Sequence, residues 1–187
     1  EGYTWSDGTK DPKTVQWVIN RATISVPTQS NSLIYNGQAQ TVELNGYDSS
    51  KMTLGGTTTG TNAGTYPASV TPGANFQWPD GSTAAKTVNW SIGRAAGSLT
   101  LSKSSLALNA AKLSDTFTAT RAGGGAISAT SSNPSVATVS VSGNVITVTG
   151  KAKGSATITV KVAADTNYNA PGDKTCSVTV TMPTSTF

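Results

Sequence analysis

Residues 156–162 read Ala-Thr-Ile-Thr-Val-Lys-Val, and apolar and polar side chains alternate along them without a break. Successive side chains of a β-strand point to opposite faces of its sheet, so this stretch predicts a strand with one buried and one solvated face. Residues 176–182, Cys-Ser-Val-Thr-Val-Thr-Met, show the same alternation. Shorter apolar stretches between turn residues predict five more strands, at residues 99–101, 106–108, 117–119, 136–141 and 145–148. Strands at about ten-residue spacing, without a helical period, predict an antiparallel β-sandwich.

The sequence upstream of this unit contains an internal repeat. Residues 3–22, YTWSDGTKDPKTVQWVINRA, match residues 76–95, FQWPDGSTAAKTVNWSIGRA, at a constant offset of 73. We therefore expect residues 1–22 to be the C-terminal hairpin of a truncated upstream repeat, and residues 23–95 to be the complete following repeat. Residues 96–183 are then a different module, and residues 184–187 are a linker.

Each copy of the repeat predicts a β-hairpin. Asp-Gly pairs at residues 7–8 and 80–81 are favoured turn pairs between strands, and the residues after them alternate. The alternation places Trp90 on a buried face, and the equivalent Trp17 is expected in a core for the same reason. The rest of the complete repeat supplies further short strands, at residues 24–26, 42–44, 52–54 and 66–70. The predicted fold class is therefore all-β throughout.

The composition removes several kinds of chemistry. Ser and Thr occupy 54 of the 187 positions, charged residues make up 12%, His is absent and there is one Cys. The lack of His excludes Ser-His-Asp and Cys-His catalysis and His-ligated metals, and a single Cys excludes an intramolecular disulfide. The nine acidic residues lie mostly in turns, which argues against paired catalytic carboxylates. The 13 basic residues are scattered, which argues against a nucleic-acid face, and no apolar stretch has the length of a membrane span.

Three motifs in the second module carry a family resemblance: SSNPSVATV at residues 131–139, GNV at residues 143–145 and GSATITV at residues 154–160. Through them, residues 98–182 resemble the bacterial Ig-like group 2 domain, although Ala129 stands where that family often has Trp. Residues 23–95 resemble the mostly-bacterial Ig-like repeats, through YNGQAQ at residues 35–40, NAGTY at residues 62–66 and KTVNW at residues 86–90. The resemblance implies tandem antiparallel Ig-like β-sandwiches and brings no catalytic residue with it.

One loop has the side chains of a weak metal site. Oxygen-bearing side chains alternate in Asp165, Asn167 and Asn169, as they do at the start of an EF-hand calcium loop. The sixth position is Ala170 where that loop needs Gly, and the twelfth is Cys176 where it needs Glu. A turn-capping Asp165 with Asn neighbours is therefore the favoured interpretation, with calcium binding as the alternative, and no cofactor is expected.

Aromatic residues supply the other candidate site. Trp5 and Trp78 lie beside the Asp-Gly turns, where an exposed indole could stack on a glycan. A core position is the competing interpretation for such residues. Cys176 shares its strand parity with Val178 and Val180, so a buried thiol is expected there.

These observations predict a non-enzymatic Ig-like stalk or adhesion segment of a larger bacterial cell-surface or secreted protein, which spaces and presents a binding element. One alternative is a structural or decoration module of a phage tail or capsid, and another is a carbohydrate-binding accessory module of a secreted enzyme. The expected partners are neighbouring Ig-like repeats of the same chain, with glycans or host and cell-surface proteins as further candidates. Nucleic acid and membrane insertion are not expected, and the predicted location is extracellular or cell-surface, with the virion as the alternative.

Overall fold

The computed structural model describes residues 2–182, and every regular element among them is a β-strand. The all-β prediction is therefore confirmed. No sheet among the described residues combines strands from before residue 94 with strands from after it. We call residues 23–95 the first module and residues 96–182 the second module. No helix of sufficient length and apolar character to cross a membrane occurs in residues 2–182.

The strands up to residue 93 are β1 (Ala22–Thr23), β2 (Thr28–Gln29), β3 (Leu33–Ile34), β4 (Gln40–Thr41), β5 (Leu44–Asn45), β6 (Met52–Gly56), β7 (Thr59–Gly60), β8 (Gly64–Pro72), β9 (Phe76–Gln77) and β10 (Lys86–Gly93). The main sheet of the first module has the order β3-β10-β8-β6. Two-stranded ladders, β2-β5 and β4-β7, accompany this sheet. The long strands β8 and β10 are antiparallel, whereas β3 is parallel to β10.

Two Trp residues form the centres of the first module's apolar clusters. Trp90 is 1% exposed and packs with Val42 and Ala68, while its ring stacks on Tyr66 at 4.7 Å between centroids. Its indole N–H donates to the Thr57 carbonyl at 2.6 Å, which satisfies the one polar atom of the side chain. The second cluster surrounds Trp78. The predicted alternation in β10 is confirmed, because its apolar residues are buried and the polar residues between them are exposed.

The second module is a sandwich of two four-stranded sheets. Its strands are β11 (Leu99–Leu101), β12 (Ser105–Asn109), β13 (Ser114–Arg121), β14 (Ile127–Ser131), β15 (Ala137–Ser142), β16 (Val145–Gly150), β17 (Gly154–Val162) and β18 (Lys174–Thr181). The sheets have the orders β11-β13-β16-β15 and β12-β18-β17-β14. The seven predicted strands are present, and the sequence missed β14 because its residues are only half-buried and weakly apolar. The antiparallel prediction needs one correction, since β12 runs parallel to β18.

The core between these two sheets follows the predicted parity. Ile158, Val160, Val178 and Val180 are fully buried, and the polar residues of β18 face outward. Cys176 is completely buried among them, as its strand position predicted. Burial raises the pKa of the Cys176 thiol, because the thiolate loses its hydration in an apolar core.

The hairpin prediction for the repeated segment is wrong in both copies. Strand β9 does not pair with β10; it pairs in parallel with β1, through Ala22 opposite Phe76. Residues 2–21 form no strand, and Trp17 is 77% exposed although its parity predicts a core position. Trp17 is exposed because the described chain has no strands beside it equivalent to β3 and β8, which flank β10, the strand that contains Trp90. The linker predicted at residues 184–187 lies outside the described residues.

Candidate inter-module joint

The two modules are joined through a backbone ladder at Ala95. The Ala95 N–H donates to the Asn167 carbonyl at 2.9 Å, and the Asn169 N–H donates to the Ala95 carbonyl at 2.9 Å. Ala95 and Tyr168 form a parallel bridge, and the Arg94 Nε donates to the Thr166 carbonyl at 3.3 Å. The end of the first module is therefore held directly by a loop of the second.

Asp165 gives that loop its shape. One carboxylate oxygen accepts the N–H groups of Asn167 at 2.8 Å and Tyr168 at 2.7 Å, and the other accepts the Gly124 N–H at 2.6 Å. These three backbone hydrogen bonds lower the pKa of the Asp165 carboxyl, and the nearby Arg94 charge lowers it further. The carboxylate thus ties the loop of residues 165–168 to a neighbouring loop of its own module.

Asn167 contacts the first module with its side chain. Its Oδ1 accepts the Ala63 N–H at 2.8 Å, and its Nδ2 donates to the Asn62 Oδ1 at 3.1 Å. Asn62 and Ala63 precede β8 in the first module, so one amide side chain closes the joint on a second side. An amide suits this position because it carries a donor and an acceptor together.

Close packing completes the joint. The rings of Tyr35 and Tyr168, one from each module, meet edge to face at 5.4 Å between centroids. A Cβ atom added at Gly97 would lie 2.0 Å from the Asn169 carbonyl oxygen and 3.0 Å from Pro171 Cδ. Only glycine fits at position 97 while the linker follows this path.

The favoured interpretation of the candidate metal residues agrees with this geometry. One carboxylate oxygen of Asp165 caps its own turn and the other accepts the Gly124 N–H, while the Asn167 side chain faces the first module. The Asn169 backbone contributes to the ladder at Ala95. No group of three or more His, Cys, Asp or Glu side chains able to hold a metal occurs in residues 2–182. Calcium binding by these residues stays a prediction, which a thermal melt with and without millimolar calcium tests.

The two candidate glycan-contact residues have different surroundings. Trp78 is 0% exposed, and its indole N–H donates to the Ala84 carbonyl at 2.7 Å, so of its two interpretations the core position is the one that the structure supports. Its ring fills the core beneath the Asp-Gly loop. Trp5 is 51% exposed and makes the same type of hydrogen bond, to the Asp11 carbonyl at 2.9 Å. Lys13 Nζ lies 5.9 Å from the centre of the Trp5 ring. Trp17, at 77% exposed, is the other exposed Trp within residues 2–22.

The sequence did not identify the joint as a site. Asn62 and Asn167 are separated by 105 positions, and turn-forming Asn residues are common between short strands. The available signal was the similarity of Ala74-Asn75-Phe76 to Thr166-Asn167-Tyr168, each ahead of its module's last strand.

Comparison with known proteins finds a family model that matches most of the second module. Residues 95–171 match the family described as bacterial Ig-like domain (group 2). This agrees with the resemblance predicted for residues 98–182. No curated protein sequence matches the chain.

Three solved structures are similar to the chain at low identity. Domains 4 and 5 of the S-layer protein SbsC share 18% identity at a TM-score of 0.40, with 82% of this chain and 96% of that one covered. The fibronectin(III)-like modules of Clostridium thermocellum CbhA share 13% identity at a TM-score of 0.32, with 90% and 94% covered. Domains 5–6 of SbsC share 14% identity at a TM-score of 0.28, with 83% and 100% covered.

Proposed function

We propose that this chain, whose second module matches the bacterial Ig-like domain (group 2), is a non-catalytic spacer in a bacterial cell-surface or secreted protein. Its modules hold a neighbouring binding element at a fixed distance and orientation. The observation that carries the proposal is the joint between the modules, which is built from specific side chains rather than from a free linker.

The connection between the modules leaves little freedom to swivel. Strand β10 ends at Gly93 and β11 begins at Leu99, so residues 94–98 are the whole linker. Five hydrogen bonds hold it and the adjoining loops: three at Arg94 and Ala95, and two at the Asn167 side chain. Freely rotating domains are normally separated by longer polar linkers that few contacts cross. A tied linker instead transmits the orientation of one module to the next.

The surface chemistry supports an extracellular setting. The outward positions of β18 are Thr175, Ser177, Thr179 and Thr181, and such hydroxyls replace the charged side chains of an ordinary soluble domain. The single Cys is buried, so the fold needs no disulfide and exposes no thiol at Cys176. The partners in this proposal are the neighbouring Ig-like repeats of the same chain.

The proposal is tested by measuring the distance distribution between the modules. Spin labels are placed on the exposed positions of Asn89→Cys and Thr179→Cys in a Cys176→Ala background, and the distances are read by pulsed electron spin resonance. A fixed joint gives one narrow distribution, and Asn167→Ala broadens it. Asn75→Ala, an exposed Asn at the equivalent loop position of the first module, is the matched control and leaves the width unchanged. A broad distribution with the native joint contradicts a spacer of fixed geometry.

A further inference from the structure

The N-terminal part of the chain contains a second copy of the joint's backbone geometry. The Ala22 N–H donates to the Asn75 carbonyl at 2.9 Å, as the Ala95 N–H does to the Asn167 carbonyl. The Arg21 Nε donates to the Ala74 carbonyl at 3.0 Å, as the Arg94 Nε does to the Thr166 carbonyl.

The aromatic residue of each loop is also placed in the same way. Ala22 pairs in parallel with Phe76, and Ala95 pairs in parallel with Tyr168. An Arg-Ala linker is therefore received twice by a loop of the form Ala/Thr-Asn-Phe/Tyr. The two receiving modules differ in sequence, so this arrangement is a property of the linker and the loop rather than of one module type.

The two copies differ in what their Asn side chain contacts. Asn167 holds the Asn62-Ala63 segment of the module before it, whereas the Asn75 side chain is exposed and has no hydrogen-bond partner within residues 2–182. The 73-residue offset of the repeat would place the segment equivalent to Asn62 and Ala63 in a preceding repeat.

The surface beside Asn75 is open enough to receive the Asn-Ala segment of such a repeat. An open cleft of about 770 Å³ is lined by residues 18–21 together with Ala74, Asn75 and Gln77. Ile19 borders this cleft and is 78% exposed, whereas its equivalent, Ile92, is 2% exposed because it lies between Leu33 and Gly64 of its own sheet. The strands of a preceding repeat would cover Ile19 in the same way.

We propose that the surface formed by Arg21, Asn75 and Phe76 is a docking site for another repeat of the 23–95 type, whose Asn-Ala segment binds the Asn75 side chain amide. Each repeat then binds the module that follows it through its Asn-Ala segment and its Arg-Ala linker. It binds the module that precedes it through its Asn loop. Successive repeats join head to tail through the same set of contacts at each joint. This inference rests on the proposed spacer function and specifies how the spacer is extended.

The test uses the full chain with residues 23–95 duplicated in tandem, which creates one new joint between two identical repeats. Hydrogen exchange is followed by mass spectrometry in the peptide of residues 61–66, and Thr61→Ser in the first copy distinguishes its peptide by mass. At the new joint, Ala63 of the first copy donates to Asn75 of the second. We expect Asn75→Ala in the second copy to speed exchange of one amide in the first copy's peptide by about tenfold, the factor that corresponds to about 1.4 kcal/mol.

The matched control is Asn75→Ala in the first copy, which changes neither peptide because no Asn-Ala segment docks there. If the second-copy variant also leaves the first copy's peptide unchanged, the docking site is refuted. Asn167→Ala in the same chain reports on the original joint, through the second copy's peptide. A response there, with none at the new joint, overturns the inference alone, whereas silence at both joints also overturns the proposed spacer.

A second variant keeps the inference testable if the duplicated chain does not fold. Thr166→Ala with Tyr168→Phe, made in the original chain, gives the second module the Ala-Asn-Phe loop of the first. The equivalence of the two loops predicts unchanged protection of the Ala63 amide. Loss of that protection, with the second module still folded by circular dichroism, would show that the Ala-Asn-Phe loop does not receive an Asn-Ala segment.

Discussion

Substituting Asn167 by Ala removes the two hydrogen bonds that its side chain makes to the first module, with the Ala63 N–H at 2.8 Å and the Asn62 Oδ1 at 3.1 Å. A neutral hydrogen bond contributes about 0.5–1.5 kcal/mol net, so together these contribute about 1–3 kcal/mol. The joint is lost as soon as either module unfolds. Its contribution therefore belongs to the free energy of unfolding of whichever module unfolds first, and not to the second transition.

The chain carries a natural probe for each module. All four Trp residues lie at or before residue 90, so a change in Trp fluorescence reports the first module, where Trp78 and Trp90 are buried. Cys176 is buried in the second module, so its reaction with a thiol reagent reports that module. With a urea slope of about 1–3 kcal/mol per molar, Asn167→Ala is expected to lower the midpoint of the first transition by about 1 M.

Asn75→Ala is the control for this measurement, because it makes the same substitution at the equivalent loop position without a hydrogen-bond partner in the described chain. Its expected shift is small, about 0.5 kcal/mol or less. Equal shifts in the two variants would mean that the effect arises from the loop itself. An unchanged first transition in Asn167→Ala would refute the reasoning that the joint stabilises the modules.

Three further predictions concern single positions. Gly97→Ala is expected to destabilise the joint by about 1–3 kcal/mol in urea unfolding, because the new Cβ overlaps the Asn169 carbonyl, while Gly172→Ala, with no atom within 4 Å of its Cβ, has little effect. Asp165 has a lowered pKa in the folded state, so its stabilisation is complete above the unfolded value of about 3.9 and is lost as the pH falls toward the folded value. The urea midpoint of the native chain should accordingly fall more between pH 5 and pH 3 than that of Asp165→Asn, and parallel pH profiles would contradict this. Trp90→Ala should cost about 3–5 kcal/mol by circular dichroism and the equivalent Trp17→Ala almost nothing, since only Trp90 is buried; equal losses would mean that Trp17 also packs in a core.

The strands that could be predicted are those whose own residues alternate between apolar and polar. Strands β10, β17 and β18 alternate strictly, and an alternating strand needs only a sheet with one buried face to form as predicted. The two-residue strands of the first module depend instead on distant partners, as β2 does on β5. Their local sequence therefore contains little that distinguishes them from loops.

Trp17 and Trp78 show where parity and turn proximity stop being informative. Trp17 has the same parity as buried Trp90, but burial also requires neighbouring strands, and these are not beside it in the described chain. Trp78 lies beside a turn, yet the loop folds its ring inward. The loops at Trp5 and Trp78 nevertheless have matching backbone hydrogen bonds, from Gly8 to Trp5 and from Gly81 to Trp78, so the turn itself is fixed by local sequence. The joint was not predictable, because it pairs loops more than 100 positions apart.

The parallel pairing of β12 with β18 has a consequence for a chain pulled at its two ends. In the second module β11 comes first and pairs with β13 in the other sheet. Once β11 has been pulled away, the force enters at the start of β12 and leaves at the end of β18, and these two strands point the same way over residues 105–109 and 177–181. Parallel strands drawn in opposite directions slide past one another, so their hydrogen bonds are loaded together in shear rather than opened one at a time. The first module has the same arrangement on a smaller scale, with β3 parallel to β10 at Ile92 and Gly93. In both modules, therefore, pulling the chain ends apart loads the last strand and an early strand, β3 or β12, in shear.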